Sequence, residues 1–566
     1  MPSQPNPNEP LSPTAQHAAT ASPQPPAGRP VRGEWFPPKW HWILAAGAIV
    51  AVVWAQLPDS RDLAITNVVA QIAVAITVVA WLAWFFLGSR YGRFVKTAAL
   101  VGVIVSVGVA SQVRISGVTG WLSPTFAWRR SAPSALAPNL AQANNKNLVD
   151  LVSPTVDDFP QFLGPQRRGV VDHVRLDPQW SDRLWQPIWR QAIGGGWSGF
   201  AVVNGHAVTM EQHGDQEWVV CYDIQTGRVE WTHADTARHE TFVGGFGPRA
   251  TPTIDSGQVY THGATGIVNC LDGRDGQVRW TVDLVKLAGT DATQEAANVT
   301  WGRAASPLVV ESLVILPLGG RSEGPLVSLV ALDRNTGEVV WKGGSDQISY
   351  SSPVVADLGG TQQVLIVSES RVTGHELATG KELWSHPWEG RSNANATVSQ
   401  VVPISDRRLL LSKAYGVGGS LVEVTRSADD VWSVQALWHN KRILKTKYTN
   451  LVLHDRHVFA LDDGILCCVE IETGERRWKQ GRYGHGQLLL VGDFVLVQAE
   501  NGEVVLVAAD PQSHRELGRF QGVEGKTWNN PTLYGDLLLL RNSEEAACYR
   551  LPLQSADLGT GVTATP

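Results

Sequence analysis

The sequence predicts an all-β protein, an eight-bladed β-propeller, preceded by three transmembrane α-helices. Two observations lead to this fold class: a short phrase that recurs between residues 221 and 478, and three apolar runs ahead of residue 114. The phrase reads Asp/Glu-x-x-Thr/Asp-Gly-x-x-x-Trp, and its copies end at Trp231, Trp280, Trp341, Trp384 and Trp478. A strand–turn–strand phrase repeated every 40 to 60 residues or so, roughly one per structural unit, is typical of radial repeat folds.

Each part of the phrase has a local role. The acidic residue ends a strand, the Gly takes a positive φ in a tight turn, and the short strand that follows ends in Trp. An indole is large enough to fill the space between neighbouring sheets, which accounts for many of the 23 tryptophans. The residues predicted to dock one blade on the next are Trp231, Trp280, Trp341, Trp384, Trp438 and Trp478.

Blades 5 and 7 are degenerate. Blade 5 is predicted from residues 421–426 and 434–438, and blade 7 from residues 505–510 and 516–520, which lack a Trp. The chain after residue 530 supplies three strands of a last blade, and residues 184–190 can supply the fourth. That pairing closes the ring and removes exposed sheet edges. The count is then eight, or seven if blade 5 or blade 7 is irregular.

The phrase resembles the PQQ-like (pyrroloquinoline-quinone-like) propeller repeat, Ala-x-Asp-x-x-Thr-Gly-x-x-x-Trp, which BamB-like proteins share with quinoprotein dehydrogenases. Residues 158–170 and 244–253 also look like bacterial BamB-like propeller proteins, and the resemblance covers residues 158–552. It implies the propeller fold. It leaves the activity open, because the Trp phrase packs blades in enzymes and scaffolds alike.

The N-terminal part of the chain has a different composition. Residues 1–38 are rich in Pro, Gln, Ala and Ser, which predicts disorder. The runs 40–57, 63–87 and 97–113 contain no internal charge and can each cross, or nearly cross, a hydrocarbon core of about 30 Å. A cleaved signal peptide is the alternative for the first run, but its leader is too long and two more runs follow.

The predicted segments are a disordered N-terminus (1–38), a membrane domain (39–114), a flexible linker (115–157), the propeller (158–555) and a disordered tail (556–566).

Basic residues predict the orientation of these helices. Arg90, Arg93 and Lys96 fill the second loop and three more basic residues precede the first run, whereas Arg61 stands alone in the first loop. The positive-inside rule therefore places the N-terminus and the second loop in the cytoplasm. We expect a multi-pass protein of the cytoplasmic (inner) membrane with its propeller on the periplasmic side. The net charge of −6 is too small to imply a nucleic acid partner.

The adjacent residues Cys467 and Cys468 suggest a redox site, since the quinoprotein alcohol dehydrogenases of the resembled class stack such a pair on their cofactor. The repeat argues for a structural role instead. Cys468 occupies a slot before the turn that holds Ala331 and Gly374 in other blades, and Cys is a common small residue in packed strands. A c-type haem would need Cys-x-x-Cys-His, which the sequence lacks.

A quinoprotein dehydrogenase would also need Ca²⁺ ligands and an Asp as base. Glu211, Asp462 and Asp463 are candidates, although acidic residues at strand ends usually form turns. The sequence therefore predicts no cofactor, no metal site and no catalytic residue. The alternative is a dehydrogenase that uses PQQ with calcium to oxidise an alcohol or sugar.

The segments that enter the innermost strands are rich in aromatic and polar residues, and each such strand begins at the mouth of the propeller funnel. Rings accompanied by Arg, Lys and Asn suit a sugar-like or peptide ligand, while side chains that only plug a narrow channel are the alternative. We predict a non-catalytic binding or assembly module that contacts the lipid bilayer and an envelope protein or such a ligand. The predicted mouth residues are Trp197, Arg249, Trp301, Arg303, Tyr350, Asn395, Lys447, Tyr448, His485, Trp528 and Asn529.

The predicted topology can be tested with a reporter enzyme that is active only outside the cytoplasm. Fused after residue 566 the reporter should be active, and fused near residue 92 it should be inactive, because the basic second loop stays in the cytoplasm. The opposite pattern would overturn the placement of the propeller.

Overall fold

The computed structural model describes residues 34–55, 63–128, 148–181, 183–390 and 396–554. Three apolar helices come first: α1 (Lys39–Ala55), α2 (Leu63–Ala83), which continues as a π-helical turn over Trp84–Gly88, and α3 (Arg93–Ala110). The helix over Leu63–Gly88 and α3 are long and apolar enough to cross a membrane, and α1 is shorter. Most of their large apolar side chains are exposed, unlike those of helices in the core of a domain.

A hairpin follows α3, with strands β1 (Val113–Val118) and β2 (Pro124–Trp128). Two short strands, β3 (Val170–Val171) and β4 (Trp189–Ala192), precede the first complete blade. Blades 1 to 4 then follow in chain order, with a small hairpin between blades 1 and 2 and two short helices between blades 2 and 3. Their elements are β5 (Ala201–Val203), β6 (His206–His213), β7 (Gln216–Asp223), β8 (Val229–Asp235), β9 (Glu240–Thr241), β10 (Gly245–Phe246), β11 (Thr253–Asp255), β12 (Gln258–His262), β13 (Ile267–Asp272), β14 (Val278–Asp283), α4 (Leu284–Leu287), α5 (Ala292–Asn298), β15 (Leu308–Val310), β16 (Leu313–Gly319), β17 (Val327–Asp333), β18 (Val339–Gly343), β19 (Val354–Leu358), β20 (Thr361–Val367), β21 (Arg371–Glu376) and β22 (Glu382–Pro387).

The second half of the ring repeats the same antiparallel pattern. Its strands are β23 (Val402–Pro403), β24 (Arg408–Lys413), β25 (Gly418–Arg426), β26 (Trp432–Asn440), β27 (Val452–His454), β28 (His457–Asp462), β29 (Ile465–Glu470), β30 (Arg476–Arg482), β31 (Gln487–Val491), β32 (Phe494–Gln498), β33 (Glu503–Ala508), β34 (Glu516–Gln521), β35 (Thr532–Tyr534), β36 (Leu537–Arg541) and β37 (Glu545–Arg550). In the described part of the chain these strands form seven sheets of four strands and one of five, the last including β3.

The ring closes as the sequence predicts. Strand β4 pairs with β37, with Trp189 opposite Cys548, so that residues from both ends of the propeller share blade 8. The innermost strands β35 and β5 then lie side by side, as do β5 with β11 and β11 with β15. The expected all-β propeller class is confirmed.

Four of the six predicted docking residues stack on a glycine in a turn of the next blade, and Trp280 shows the arrangement. The four are Trp231, Trp280, Trp341 and Trp438. The indole Nε1 of Trp280 donates a hydrogen bond to the carbonyl of Arg334, 3.0 Å away. A Cβ built on Gly337, which has a φ of +74°, would lie 2.8 Å from the indole ring, so only Gly fits between turn and ring. Equivalent Trp–carbonyl bonds join Trp189 to Ile224, Trp231 to Gly273, Trp341 to Leu377, Trp438 to Ile471 and Trp478 to Asp510.

Trp384 differs from the other predicted docking residues because it makes no hydrogen bond to a described carbonyl of the next blade. It is buried between blades 4 and 5, but its Nε1 donates to Gln363 Oε1 of its own blade, 2.7 Å away. Blade 5 has no Thr-Gly turn between β25 and β26, so the usual carbonyl partner is missing. The degenerate repeat therefore keeps the apolar contact and replaces the hydrogen bond.

The slot opposite the docking Trp holds small residues. In the strand pairs, Cys270 faces Trp280, Ala331 faces Trp341, and Cys468 faces Trp478. All five cysteines are free and buried. The room that the indole leaves on the neighbouring strand explains four of them, whereas Cys467 lies opposite Lys479.

The structure differs from the predicted flexible linker (115–157) at both of its ends. The hairpin β1–β2 occupies its start, and Val149 and Leu151 are buried in the core beneath blades 1 and 2. These scattered apolar side chains have no periodicity, so the Pro- and Asn-rich composition around them obscured their burial. Residues 129–147, the predicted disordered tail (556–566) and residues 1–33 of the predicted disordered N-terminus (1–38) lie outside the described residues. Glu34, near the end of that N-terminal segment, forms a β-bridge with Ser89.

A pair of glycine variants measures the Trp–turn contact. Gly337→Ala should lower the free energy of unfolding by the strain of a positive φ, about 1–2 kcal/mol, plus roughly 1–3 kcal/mol for the clash with Trp280. Gly360→Ala is the matched control, because its φ is also +74° but no atom lies within 4 Å of the added Cβ. Trp280→Ala should cost about 3–5 kcal/mol through the cavity it leaves. Urea unfolding that shows equal losses for the two glycine variants would contradict the stacking.

Candidate functional site

A cavity of about 180 Å³ lies on the axis of the ring. Seven blades line it with the residue four positions before their innermost strand, and blade 7 contributes Gln487. The seven residues at this repeat position are Trp197, Arg249, Ala304, Tyr350, Val398, Tyr448 and Trp528. The repeat itself therefore builds the cavity, and every blade contributes at least one lining residue.

One wall of the cavity is aromatic. The ring centroid of Trp528 lies 4.9 Å from that of Trp197 and 4.7 Å from that of Tyr448. The ammonium group of Lys526 lies 4.3 Å from the Trp528 centroid and 5.1 Å from that of Trp197. A cation in this position is held by the negative faces of the two indoles.

Arg249 stabilises the rim of the cavity. Its guanidinium donates to the carbonyls of Gly244 and Gly245, at 3.2 and 3.1 Å, and to that of Gly247. Trp197 Nε1 donates to the same Gly244 carbonyl, 2.7 Å away. Burial lowers the pKa of Arg249 to about 10, so the side chain stays charged at neutral pH. The loop between β9 and β10 is therefore fixed over one side of the mouth.

The cavity is closed on the side away from these residues by the segment 159–170, which crosses the axial channel. Phe159 forms a β-bridge with Val202 of blade 1, and the buried guanidinium of Arg167 donates to the Ser306 and Pro307 carbonyls of blade 3. Phe162 of this segment lines the cavity floor. This segment therefore forms the floor of the cavity.

A belt of hydroxyl groups joins the innermost strands just below the mouth. The Gly199 amide donates to Thr251 Oγ1 at 3.1 Å, the Thr251 amide to Ser306 Oγ at 3.0 Å, and the Ser306 amide to Ser352 Oγ at 2.9 Å. The last hydroxyl also lines the cavity. These bonds fix the spacing of the blades at the site.

Six of the predicted mouth residues line the cavity: Trp197, Arg249, Trp301, Tyr350, Tyr448 and Trp528. Arg303 does not. It is buried, lies 2.9 Å from Glu295 Oε2 and donates to the Leu318 carbonyl. Asn529 is also turned away and donates to the Gly196 and Ser198 carbonyls. Asn395 lies outside the described residues.

Lys447 and His485 face the hairpin β1–β2 instead of the axis. Lys447 Nζ donates to the Gly120 carbonyl at 3.3 Å. The ring of His485 is fully buried, 5.8 Å from that of Trp121, and burial holds its pKa well below the usual range. A Cβ on Gly120 would lie 2.1 Å from the His485 ring, so the hairpin tip approaches this closely only as Gly.

The sequence analysis missed Phe162, Tyr415 and Asn450 as lining residues. Phe162 lies ahead of the repeats, and Tyr415 lies in the loop between β24 and β25. Neither therefore lies in a segment that enters an innermost strand, where the other lining residues were predicted. Asn450 does follow Tyr448 by two positions, and the alternation of side chains along an extended segment could have identified it.

The mouth is bordered by the hairpin and by the first turn of α2. The Leu63 amide donates to Asp463 Oδ2 at 2.9 Å, and Trp121 Nε1 donates to the Asp463 carbonyl at 3.0 Å. Asn67 of α2 donates to the Trp121 carbonyl, 3.2 Å away. The face of the propeller that carries the cavity opening therefore lies against the start of α2 and the hairpin.

The family described as outer membrane protein assembly factor BamB matches residues 169–341 and 327–516, which is more than half of the chain. The chain belongs to this PQQ-repeat family. The helices and the hairpin lie outside the matched region, so the family accounts for the propeller and not for the segments bordering its mouth.

Two relatives agree with this assignment, and a solved structure shares the propeller fold. The chain is 23% identical over 325 residues to outer membrane protein assembly factor BamB of Shewanella oneidensis, covering 53% of this chain and 74% of that protein. It is 24% identical over 270 residues to BamB of Moranella endobia, covering 45% of this chain and 60%, less than two thirds, of that protein. The structure of a europium-containing methanol dehydrogenase superposes with a TM-score of 0.53 at 10% identity, over 70% of this chain and 98% of that one. At this identity the superposition shows the shared propeller fold alone.

The cavity does not fit PQQ with calcium, the cofactor that the quinoprotein resemblance implies. Its described lining residues include no carboxylate. The oxygen atoms there that could bind a metal ion belong to neutral side chains, such as Ser352, Asn450 and Asn530. Calcium sites in proteins normally include carboxylates. Glu211 accepts hydrogen bonds from the Gly194 amide and the Tyr222 hydroxyl and belongs to blade 1. The donor set therefore disagrees with this cofactor.

The adjacent cysteines do not reach the cavity either. They follow one another on β29, so their side chains point to opposite faces of blade 6, and they belong to different core clusters. Burial raises the pKa of both thiols, that of Cys468 to about 12. Asp462, another calcium candidate, is buried 3.2 Å from the ammonium group of Lys479.

Replacing both cysteines tests the structural role. Cys467→Ala/Cys468→Ala should lower the melting temperature by less than about 5 °C, because Ala331 fills the position equivalent to Cys468 in blade 3 and each change removes a single buried sulfur atom. Incubation with PQQ and calcium should give the same absorption spectrum for both proteins after desalting, without bound quinone. Stoichiometric quinone in the unmodified protein and its loss in the variant would establish the dehydrogenase site.

Proposed function

We propose that this protein is a non-catalytic binding module of the cell envelope, anchored in the cytoplasmic membrane with its propeller outside the cytoplasm. The composition of the axial cavity carries this proposal. Its described lining includes aromatic rings, amides and one Arg, and no Asp, Glu, His, Cys or Lys. Such a surface can stack and hydrogen-bond a ligand but offers no acid–base pair or activated nucleophile.

The size of the cavity limits what it binds. A volume of about 180 Å³ is below the roughly 300–1,000 Å³ of pockets for drug-sized ligands. It suits one sugar ring, or one or two side chains of a peptide segment stacked against Trp528 and Tyr448. The matched relatives are named for outer membrane protein assembly, which supports a peptide segment of an envelope protein as the occupant.

The contacts of the helices support the membrane placement. The Glu34 amide donates to the Gly88 carbonyl, and the Arg90 amide donates to the Glu34 carbonyl, both at 3.2 Å. Glu34, five residues before α1, therefore lies beside the basic loop between α2 and α3, whereas Leu63, at the other end of α2, contacts the propeller. The positive-inside rule assigns the side with the basic loop to the cytoplasm.

A double variant of the cavity tests the binding function. Arg249→Gln/Trp301→Ala removes the charge at the rim and one stacking surface. We expect it to abolish complementation of a deletion strain while lowering the melting temperature by less than about 5 °C, because both side chains lie at the mouth and not between blades.

The matched control is Lys381→Gln/Arg407→Gln, which changes two exposed side chains on turns at the opposite face of the propeller. It should complement fully. Full complementation by the cavity variant as well would refute a binding role for the cavity.

A further inference from the structure

A larger cleft, of about 1050 Å³, lies beside the mouth between the first turn of α2 and blades 5 and 6. Ile65 of α2 lines one wall, with 62% of its surface exposed. The opposite wall is formed by the loop after β26, residues 440–445, and by the start of β30. Tyr415 lines both this cleft and the axial cavity, so the two sites adjoin.

The cleft is basic. Its carboxylates are Asp463 and Glu475. Asp463 already accepts the Leu63 amide at 2.9 Å, and Glu475 lies 3.9 Å from the guanidinium of Arg477, outside the cleft. The cationic lining residues are Lys441, Arg442, Lys445 and Arg476.

Lys441 and Arg442 are the two exposed cations of this set. They lie in the loop that follows the outermost strand of blade 5, on the same face of the propeller as Tyr415 and the start of α2. An apolar helix wall beside two exposed cations is the combination that accommodates an acyl chain together with a negatively charged headgroup.

We propose that this cleft binds the headgroup of an anionic phospholipid, with its phosphate against Lys441 and Arg442 and its acyl chain along α2 beside Ile65. The fork of the Arg442 guanidinium suits two phosphate oxygens, and Lys441 adds a point charge. The proposal rests on the proposed membrane anchoring, because only then does the start of α2 lie at the level of the lipid headgroups. A free phosphate ion would use the same cations but would gain nothing from the apolar wall at Ile65.

The test uses the full chain purified in detergent, with native mass spectrometry to count retained lipids. The probes are phosphatidylglycerol and phosphatidylcholine of equal chain length, added separately. We expect selective retention of phosphatidylglycerol, and Lys441→Ala/Arg442→Ala should weaken it by about tenfold or more. Lys381→Ala/Arg407→Ala is the control, since it removes one Lys and one Arg from exposed positions on the opposite face and should leave retention unchanged.

Two outcomes would overturn the lipid site: equal retention of both lipids, or unchanged phosphatidylglycerol retention in Lys441→Ala/Arg442→Ala. Displacement of phosphatidylglycerol by millimolar inorganic phosphate would instead identify an ion site and also refute the proposal. Membrane fractionation separates this failure from that of the proposed function. If the protein stays in the membrane fraction but shows no lipid preference, only the proposed lipid site is refuted. If the protein is found in the soluble fraction, the proposed anchoring is refuted.

Discussion

The contact between a docking Trp and the glycine turn of the next blade is the interaction on which the rest of the structure depends. A blade of four short strands cannot bury both of its faces alone. The indole covers the facing sheet, its N–H satisfies a turn carbonyl, and the positive-φ Gly admits the ring. Repeated at most of the blade boundaries, this contact fixes the angle between blades, and that angle brings one residue of each blade to the axis.

The same repeat explains how much of the site the sequence could predict. In seven of the eight blades the residue four positions before the innermost strand faces the axis, so Trp197, Arg249, Tyr350 and Tyr448 were found by this position in the repeat. Because side chains alternate along an extended segment, the side chain one position away points away from the axis. This is why Lys447, next to Tyr448, contacts the hairpin and not the cavity.

Other parts of the fold could not be derived from the repeat. His485 was misplaced because its ring packs against the hairpin tip at Gly120 and Trp121, a tertiary contact that the repeat does not encode. The segment 159–170 and the hairpin β1–β2 carry no periodic pattern. Their positions depend on tertiary contacts, such as that of Arg167 with the Ser306 carbonyl. Irregular segments thus close one end of the channel and border the other, while the regular blades supply the wall between them.

The hairpin and the cavity wall are coupled through one buried carboxylate. Glu500 accepts hydrogen bonds from the Gly120 amide of the hairpin, from Trp528 Nε1 at 2.8 Å and from the His485 amide at 3.1 Å. Lys526 makes a parallel link, since its ammonium group donates to the Val118 carbonyl at 3.3 Å while lying over the Trp528 ring. Lifting the hairpin would remove hydrogen bonds from buried charged groups, which is strongly unfavourable. The segment that joins the apolar helices to the propeller is therefore held by the same carboxylate that binds the indole lining the cavity, and a ligand that shifts Trp528 would disturb the contacts of this hairpin as well.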